Sequence, residues 1–233
     1  MGKRIIARAR GKGGPRYRAP SHRYRGKVEY FPLSGITGVV KDILHDPGRS
    51  APVMIVKVGK KEILQIAPEG ISVGSEIKYD GEISPGNVVE LGKIPVGTKI
   101  FGLETSPGSG PKLCRSSGVF AQVIGKSGNK VTVQLSSGEV KELNEKCRAT
   151  IGVPAGGGRV EKPWVKAGKK WYAMHARGKI FPRTKGVVMN PVDHPYGGKS
   201  HRPRPSRTVS RHAPPGAKVG SIAARRVGKK KGK

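Results

Sequence analysis

Asp193 and His194 stand side by side in Asn190-Pro191-Val192-Asp193-His194-Pro195-Tyr196-Gly197-Gly198. An imidazole held by a carboxylate is the elementary form of a general base, because histidine changes charge near neutral pH. Without a nucleophile or an oxyanion-binding group the same pair is an ordinary hydrogen-bonding unit, and no such companion is evident in the chain. Two Gly-Lys-Ser triplets, at 125–127 and 198–200, invite comparison with a phosphate loop. A nucleotide loop needs another glycine five residues before the Gly-Lys pair, where Phe120 and Asp193 stand instead. There is no HExxH, no GxSxG, and no strand, Gly-rich turn and helix series for a dinucleotide. No catalytic residue is assigned, His194 being the single side chain for which a case could be made.

Metal chemistry is equally unsupported. Cys114 and Cys147 form no CxxC pair and have no histidine at ligand spacing, so two reduced thiols are expected, with no metal and no cofactor. The N-terminus is basic but lacks the apolar core of a secretory signal, and no stretch approaches the roughly 18 apolar residues of a membrane span. No membrane association is expected.

What remains is charge. Residues 1–34 hold ten Lys or Arg against one acid, 35–150 fifteen against twelve, and 151–233 twenty-one against two, together the net +31. Like charge gathered so densely opposes compaction unless a polyanion neutralises it. The expected partner is nucleic acid. The near-neutral middle can bury a modest core or two small ones, whereas the flanks are too charged and too poor in apolar residues to fold unaided.

The elements that must position these charges read as β. Glycine (35) and proline (19) make up nearly a quarter of the chain, typical of short strands joined by turns. Residues 36–44 and 52–58 are rich in β-branched side chains and flank a His45-Asp46-Pro47-Gly48-Arg49 turn, which predicts a hairpin. Residues 61–67, 73–79 and 88–91 supply three shorter strands, and five strands in so short a span suggest a small OB-like barrel over 35–93. A second, SH3-like unit over 94–170 is predicted from strands at 119–125, 130–135 and 139–143. Strand character fades after Thr150, and a short helix near Val165 is only hinted at. Residues 1–34 read as an extended basic arm and 171–233 as a basic extension ending in a mobile lysine-rich run.

Candidate nucleic-acid contacts follow from this layout. In the arm they are Arg8, Arg10, Arg16, Arg18, Arg23 and Arg25, interleaved with Tyr17 and Tyr24, whose rings can stack on bases while guanidinium forks take phosphates. In the middle they are Arg49, Arg115, Arg148 and Arg159, read as turn or loop residues, together with Gly157. In the extension they are Arg202, Arg204, Arg207 and Arg211, stiffened by intervening prolines, and Arg225 and Arg226. In the 190–198 segment, Asn190 offers donor and acceptor, His194 a hydrogen bond, and Gly197 and Gly198 a backbone bare enough to approach phosphate. Asp193 is expected to orient His194 or pair with an arginine.

Lys185 to Gly198 resembles, nearly residue for residue, the signature of the universal second protein of the large ribosomal subunit, the "L-two" family. The His45 to Arg49 turn, Leu113-Cys114-Arg115-Ser116-Ser117-Gly118, Cys147-Arg148-Ala149-Thr150 and Gly156-Gly157-Gly158-Arg159 resemble further landmarks in family order. The close, with Ala213-Pro214-Pro215-Gly216 and Ile222 to Arg226, is similar to the archaeal and eukaryotic branch. Where bacterial members read His-Pro-His, this chain has His194-Pro195-Tyr196. The resemblance implies an OB-like barrel followed by an SH3-like one, with both ends threaded into large-subunit rRNA, in the cytoplasm. It also implies neighbouring ribosomal proteins, the small subunit and tRNA as partners near the intersubunit face, with a role in assembling the peptidyl-transferase region. No homo-oligomer is expected. The other classes open to such a composition are a free-standing OB-fold regulator or RNA chaperone, and a chromatin-type DNA binder, for which no recognition helix is evident.

Overall fold

The computed structural model describes residues 2–6, 11–32, 34–198 and 208–224. Arg8, Arg10, Arg202, Arg204, Arg207, Arg225, Arg226 and the lysine-rich end lie outside the described residues. The chain divides into two compact units, one of residues 20–169 and one combining 1–19 with 170–233.

The first unit is a ten-stranded sheet. Its strands are β1 (Ile36–Leu44), β2 (Val53–Val58), β3 (Lys61–Ile66), β4 (Glu76–Tyr79), β5 (Val88–Glu90), β6 (Lys99–Phe101), β7 (Ala121–Ser127), β8 (Lys130–Gln134), β9 (Val140–Asn144) and β10 (Arg148–Ile151). They are ordered β3-β2-β1-β4-β5-β10-β6-β7-β8-β9. β1, β2 and β3 form an antiparallel meander, β4 pairs with the other side of β1, and β5 joins β4 in parallel. β7, β8 and β9 form a second meander that β6 extends. The architecture is all-β, an OB-like barrel followed by an SH3-like one.

The hairpin between β1 and β2 turns where its sequence predicts, because the Asp46 carboxylate accepts the Gly48 N–H at 2.9 Å and closes an Asx turn. β6 and β10 are not legible in the sequence. They have three and four residues, too few for an alternation to show, and β10 is defined by pairing on one side with β5 and on the other with β6. Arg148, expected in a loop, therefore stands at the start of a strand.

Apolar side chains gather in clusters on the inner faces. One contains Val40, Met54, Val56, Ile77 and Tyr79, and another Leu91, Ile94, Ile100, Val131 and Val133. Burying each such side chain stabilises the fold by about 1.5–3 kcal/mol. The near-neutral middle can collect that term, whereas a segment of alternating arginine and glycine cannot.

The basic arm is less of an arm than its composition suggests. Val28, Tyr30 and Phe31 are buried, Val28 bridges Leu64 of β3, and the Glu29 N–H donates to the Leu64 carbonyl at 3.0 Å. The Tyr30 hydroxyl donates to the Gly102 carbonyl at 2.7 Å and lies 2.8 Å from the Thr150 hydroxyl. Burial of these three side chains outweighs the surrounding charge and draws the segment onto the barrel.

In the second unit the Lys3 N–H donates to the Val192 carbonyl at 2.8 Å, and the Tyr17 hydroxyl donates to the Ile6 carbonyl at 2.6 Å. β11 (Thr208–Val209) and β12 (Ser221–Ile222) form a short parallel pair. The helix hinted at near Val165 is α1 (Ala167–His175), the one α-helix among the described residues.

Candidate nucleic-acid interface

Three loops far apart in sequence meet at Ser117. The loop carrying Arg115 and Ser116 places the Ser117 N–H 3.1 Å from the Ser50 hydroxyl, next to Arg49. The Ser117 hydroxyl accepts from Arg159 Nε at 3.0 Å. Gly118 then passes so close to Gly157 that a β-carbon on Gly118 would lie 2.5 Å from the Gly157 Cα, and its N–H donates to the Pro154 carbonyl at 3.0 Å. Only backbone without side chains can cross at that distance. The result is one basic surface built from Arg49, Arg115 and Arg159.

The three arginines are held differently. Arg49 Nε lies 2.9 Å from Oδ2 of the fully buried Asp46, and its guanidinium also donates to the Gly26 carbonyl. Burial lowers the Arg49 pKa from its ordinary value and the neighbouring Arg115 charge lowers it further, while Asp46 acts against both. Arg115 and Arg159 are exposed and form no ion pair with a carboxylate among the described residues. Two unneutralised cations beside a third whose charge is already opposed is the pattern a phosphate would complete.

Arg148 is employed elsewhere. Its Nη2 lies 2.9 Å from Oε1 of the fully buried Glu104, its Nε and backbone N–H reach Oε2, and its guanidinium donates to the Phe31 carbonyl. Gly108 and Gly110 donate their N–H groups to the same carboxylate. The Arg148 guanidinium also lies over the Tyr30 ring at 5.5 Å. This is an internal clasp, and its charge is spent within the protein.

Of the arm residues, Arg16, Arg18, Arg23 and Arg25 are exposed. The tyrosines between them are not free stacking platforms. Tyr17 is tied through its hydroxyl to Ile6, and the Tyr24 ring packs on Gly48, where a β-carbon would come within 2.9 Å. The Arg49 bond to Gly26 anchors the segment bearing Arg23 and Arg25 to the β1–β2 turn.

In the second unit the 185–198 signature is a loop folded on itself. His194 packs over Gly186, where a β-carbon would lie 2.3 Å from the imidazole, and His194 Nδ1 accepts the Tyr196 N–H at 3.0 Å. That bond makes Nδ1 the acceptor and leaves Nε2 as the protonated nitrogen of the neutral ring. The N–H groups of Gly197 and Gly198 donate inside the loop, to the carbonyls of His194 and Met189 at 2.9 and 3.2 Å. A β-carbon on Gly197 would lie 2.4 Å from the Asn190 carbonyl carbon. These glycines serve the loop's own closure, not the approach to phosphate expected of them. Asp193 pairs loosely with Lys3 at 3.9 Å, and His194 Nδ1 is engaged by backbone, so the expected carboxylate–imidazole unit is not formed. Asn190 is exposed, and Arg211 is exposed near β11. Lys3, Arg4, Lys12, Asp193 and His194 line a cleft of about 610 Å³.

Cys114 and Cys147 are free thiols, and burial pushes both above the ordinary thiol value.

Comparison with known proteins adds an independent line. Residues 3–79 match the RNA-binding N-terminal domain of Ribosomal Proteins L2, and residues 84–218 match the C-terminal domain of the same proteins. The chain is 51% identical to the large ribosomal subunit protein uL2 of Methanothermobacter thermautotrophicus, covering 99% of this chain and 100% of that one. It is 52% identical to the protein of the same name from Methanococcus maripaludis, at 99% and 100% coverage. It is 50% identical to that of Methanocella arvoryzae, at 98% and 99% coverage.

Proposed function

This chain belongs to the ribosomal protein L2 family, a structural and non-enzymatic constituent of the large ribosomal subunit, and we propose that it grips large-subunit rRNA through the three-loop arginine surface. The observation that carries this reading is the meeting at Ser117 of the loops that bear Arg49, Arg115 and Arg159. Exposed cations at a rigid backbone crossing lose little freedom when they dock on phosphate, so their contact is worth more than that of the same residues on a loose tail.

Residues 35–93 and 94–170 act as the two barrels, and the basic segments 1–34, apart from the 28–31 stretch packed on the first barrel, and 171–233 run between RNA helices. Arg16, Arg18, Arg23, Arg25 and Arg211 meet phosphates, and Asn190 meets a base or ribose edge. The protein works in the cytoplasm within the ribosome, beside other ribosomal proteins. Near the intersubunit face it supports subunit association, tRNA binding and assembly of the peptidyl-transferase region. His194 serves the shape of its loop and takes no part in peptide transfer.

The test is in-cell crosslinking of tagged protein, with recovered RNA sequenced and particles resolved on a gradient. Recovery in the large-subunit peak at a few discrete rRNA sites is expected, and Arg115→Glu with Arg159→Glu should remove the sites nearest that surface. A free pool spread over many messages would overturn the reading in favour of an OB-fold regulator.

A further inference from the structure

Helix α1 (Ala167–His175) has no reason of its own to be stable. It is nine residues long, contains Gly168, and buries none of its side chains. Isolated helices shorter than roughly 12–15 residues are marginal in water even with good helix formers, so such a helix needs a surface to pack on. The protein covers it only in part, leaving Lys170, Ala173 and Met174 half-buried. Lys170 lies over the Phe181 ring at 5.0 Å, and that contact leaves the helix's largest side chains in solvent.

Those side chains are aromatic. Trp171 is 43% exposed and Tyr172 71% exposed. The Trp171 indole is stacked on the His175 imidazole one helical turn on, with centroids 5.0 Å apart and planes 14° from parallel. Tyr172 stands edge-on to the same indole at 4.9 Å. The three rings form a small preassembled group, and each is restrained by its neighbours before anything binds. The surrounding charge has one sign: residues 162–192 contain eight Lys or Arg and no acid.

We propose that Trp171, Tyr172 and His175 form a stacking platform for an unpaired RNA base, with Lys170 and the neighbouring cations meeting the flanking phosphates. Exposed rings in a field of lysines suit a ligand that is at once flat, aromatic and anionic, which an unpaired nucleotide is and an acidic peptide is not. Docking completes the packing that α1 lacks, so the helix is stabilised by the RNA it holds. This site rests on the reading of the chain as an rRNA-binding protein. It differs from the three-loop surface in recognising the base as well as the phosphate.

The experiment uses the full chain with Trp164→Phe, which leaves Trp171 as the one tryptophan. Its fluorescence is followed during titration with a short unpaired adenylate oligonucleotide, a fully paired RNA hairpin, polyphosphate and polyglutamate, and RNA binding is measured separately from the anisotropy of a labelled oligonucleotide. Saturable quenching by the unpaired RNA is expected, with little from the hairpin or polyphosphate. Trp171→Ala and Tyr172→Ala should each weaken binding of the unpaired RNA about tenfold, and Trp171→Phe should restore most of it. If RNA binds by anisotropy but Trp171 fluorescence does not respond, or if both alanine variants bind normally, the platform is refuted while RNA binding stands. Equal quenching by polyphosphate or by polyglutamate refutes it as well. Failure of any RNA to bind overturns both this proposal and the reading beneath it.

Discussion

Gly118 and Gly157 cross backbone to backbone, with room for no side chain on the first: its β-carbon would fall 2.5 Å from the Gly157 Cα. The crossing joins the loop that presents Arg115 to the loop that presents Arg159. Gly118 also has φ +69°, a conformation that L side chains adopt only with strain. Gly118→Ala should therefore destabilise the protein by about 2 kcal/mol or more, from strain and overpacking together. Gly157→Ala, whose β-carbon would meet Gly118 at 3.3 Å, should cost less. Urea unfolding of the two variants checks the order, and equal midpoints would show that the crossing is not the constraint.

Arg115 and Arg148 should separate contact from scaffold. Arg115→Ala is expected to lower the salt slope of RNA binding by about 0.7–1, one phosphate, with stability unchanged, and Arg159→Ala to lower it as much with a stability loss of about 1 kcal/mol from its bond to the buried Ser117. Arg148→Ala should leave the slope alone and destabilise the fold by about 3–5 kcal/mol, because Glu104 is then buried without its cation. Arg148→Lys should rescue little, since a single ammonium cannot reproduce the forked contact. Filter binding over a salt series, paired with denaturant unfolding, reads both quantities.

The packing of His194 over Gly186 sets the expectation for the signature loop. His194→Ala removes the Nδ1 that accepts the Tyr196 N–H, and Gly186→Ala drives a methyl group into the ring. Both should reduce incorporation into large subunits or subunit joining. Single-turnover peptide transfer by the particles that do assemble should stay within about twofold of normal, a margin small beside the ~10²–10⁴ that general-base catalysis contributes. A large fall in that rate in correctly assembled particles would assign His194 a chemical role.

Tyr30 and Tyr79 give the protein an alkaline limit. Burial, the largest cause for both, raises each phenol well above its ordinary 10.0, and hydrogen bonds from Thr150 and Gln65 offset it only partly. In the unfolded chain both would ionise near 10, so the stabilisation their neutral forms contribute is complete below about pH 10. Above it stability is expected to fall by about 1.4 kcal/mol per pH unit for each, until the folded phenols themselves ionise. Absorbance at alkaline pH should show two of the six tyrosines titrating only as the protein unfolds. Tyr79→Phe should shift that unfolding to higher pH.

Much of the scaffold is legible in the residues themselves. The β-branched runs of β1 and β2 and the Asp46 turn between them are local signals, and each is realised where it is written. β6 and β10 are not, because strands of three or four residues are made by their neighbours and carry no pattern of their own.

The same division runs through the site. Composition alone determined that the chain carries +31, gathered in its flanks, and so needs a polyanion, and the local motifs marked the loops that matter. Only the tertiary structure decided which partners each marked residue has within the protein. It brought Ser50 and Arg159 to Ser117 across 67 and 42 residues of sequence, and it turned Arg148 inward to Glu104 across 44. It also gave the N–H groups of Gly197 and Gly198 to their own loop and left Trp171 and Tyr172 in solvent. The physical reason is that charge and β-propensity are properties of single residues and short runs, whereas the partner of a guanidinium is chosen by non-local packing. Arg148, whose fork is filled by the buried Glu104, is part of the core, whereas Arg159, beside only a serine, is placed to meet RNA.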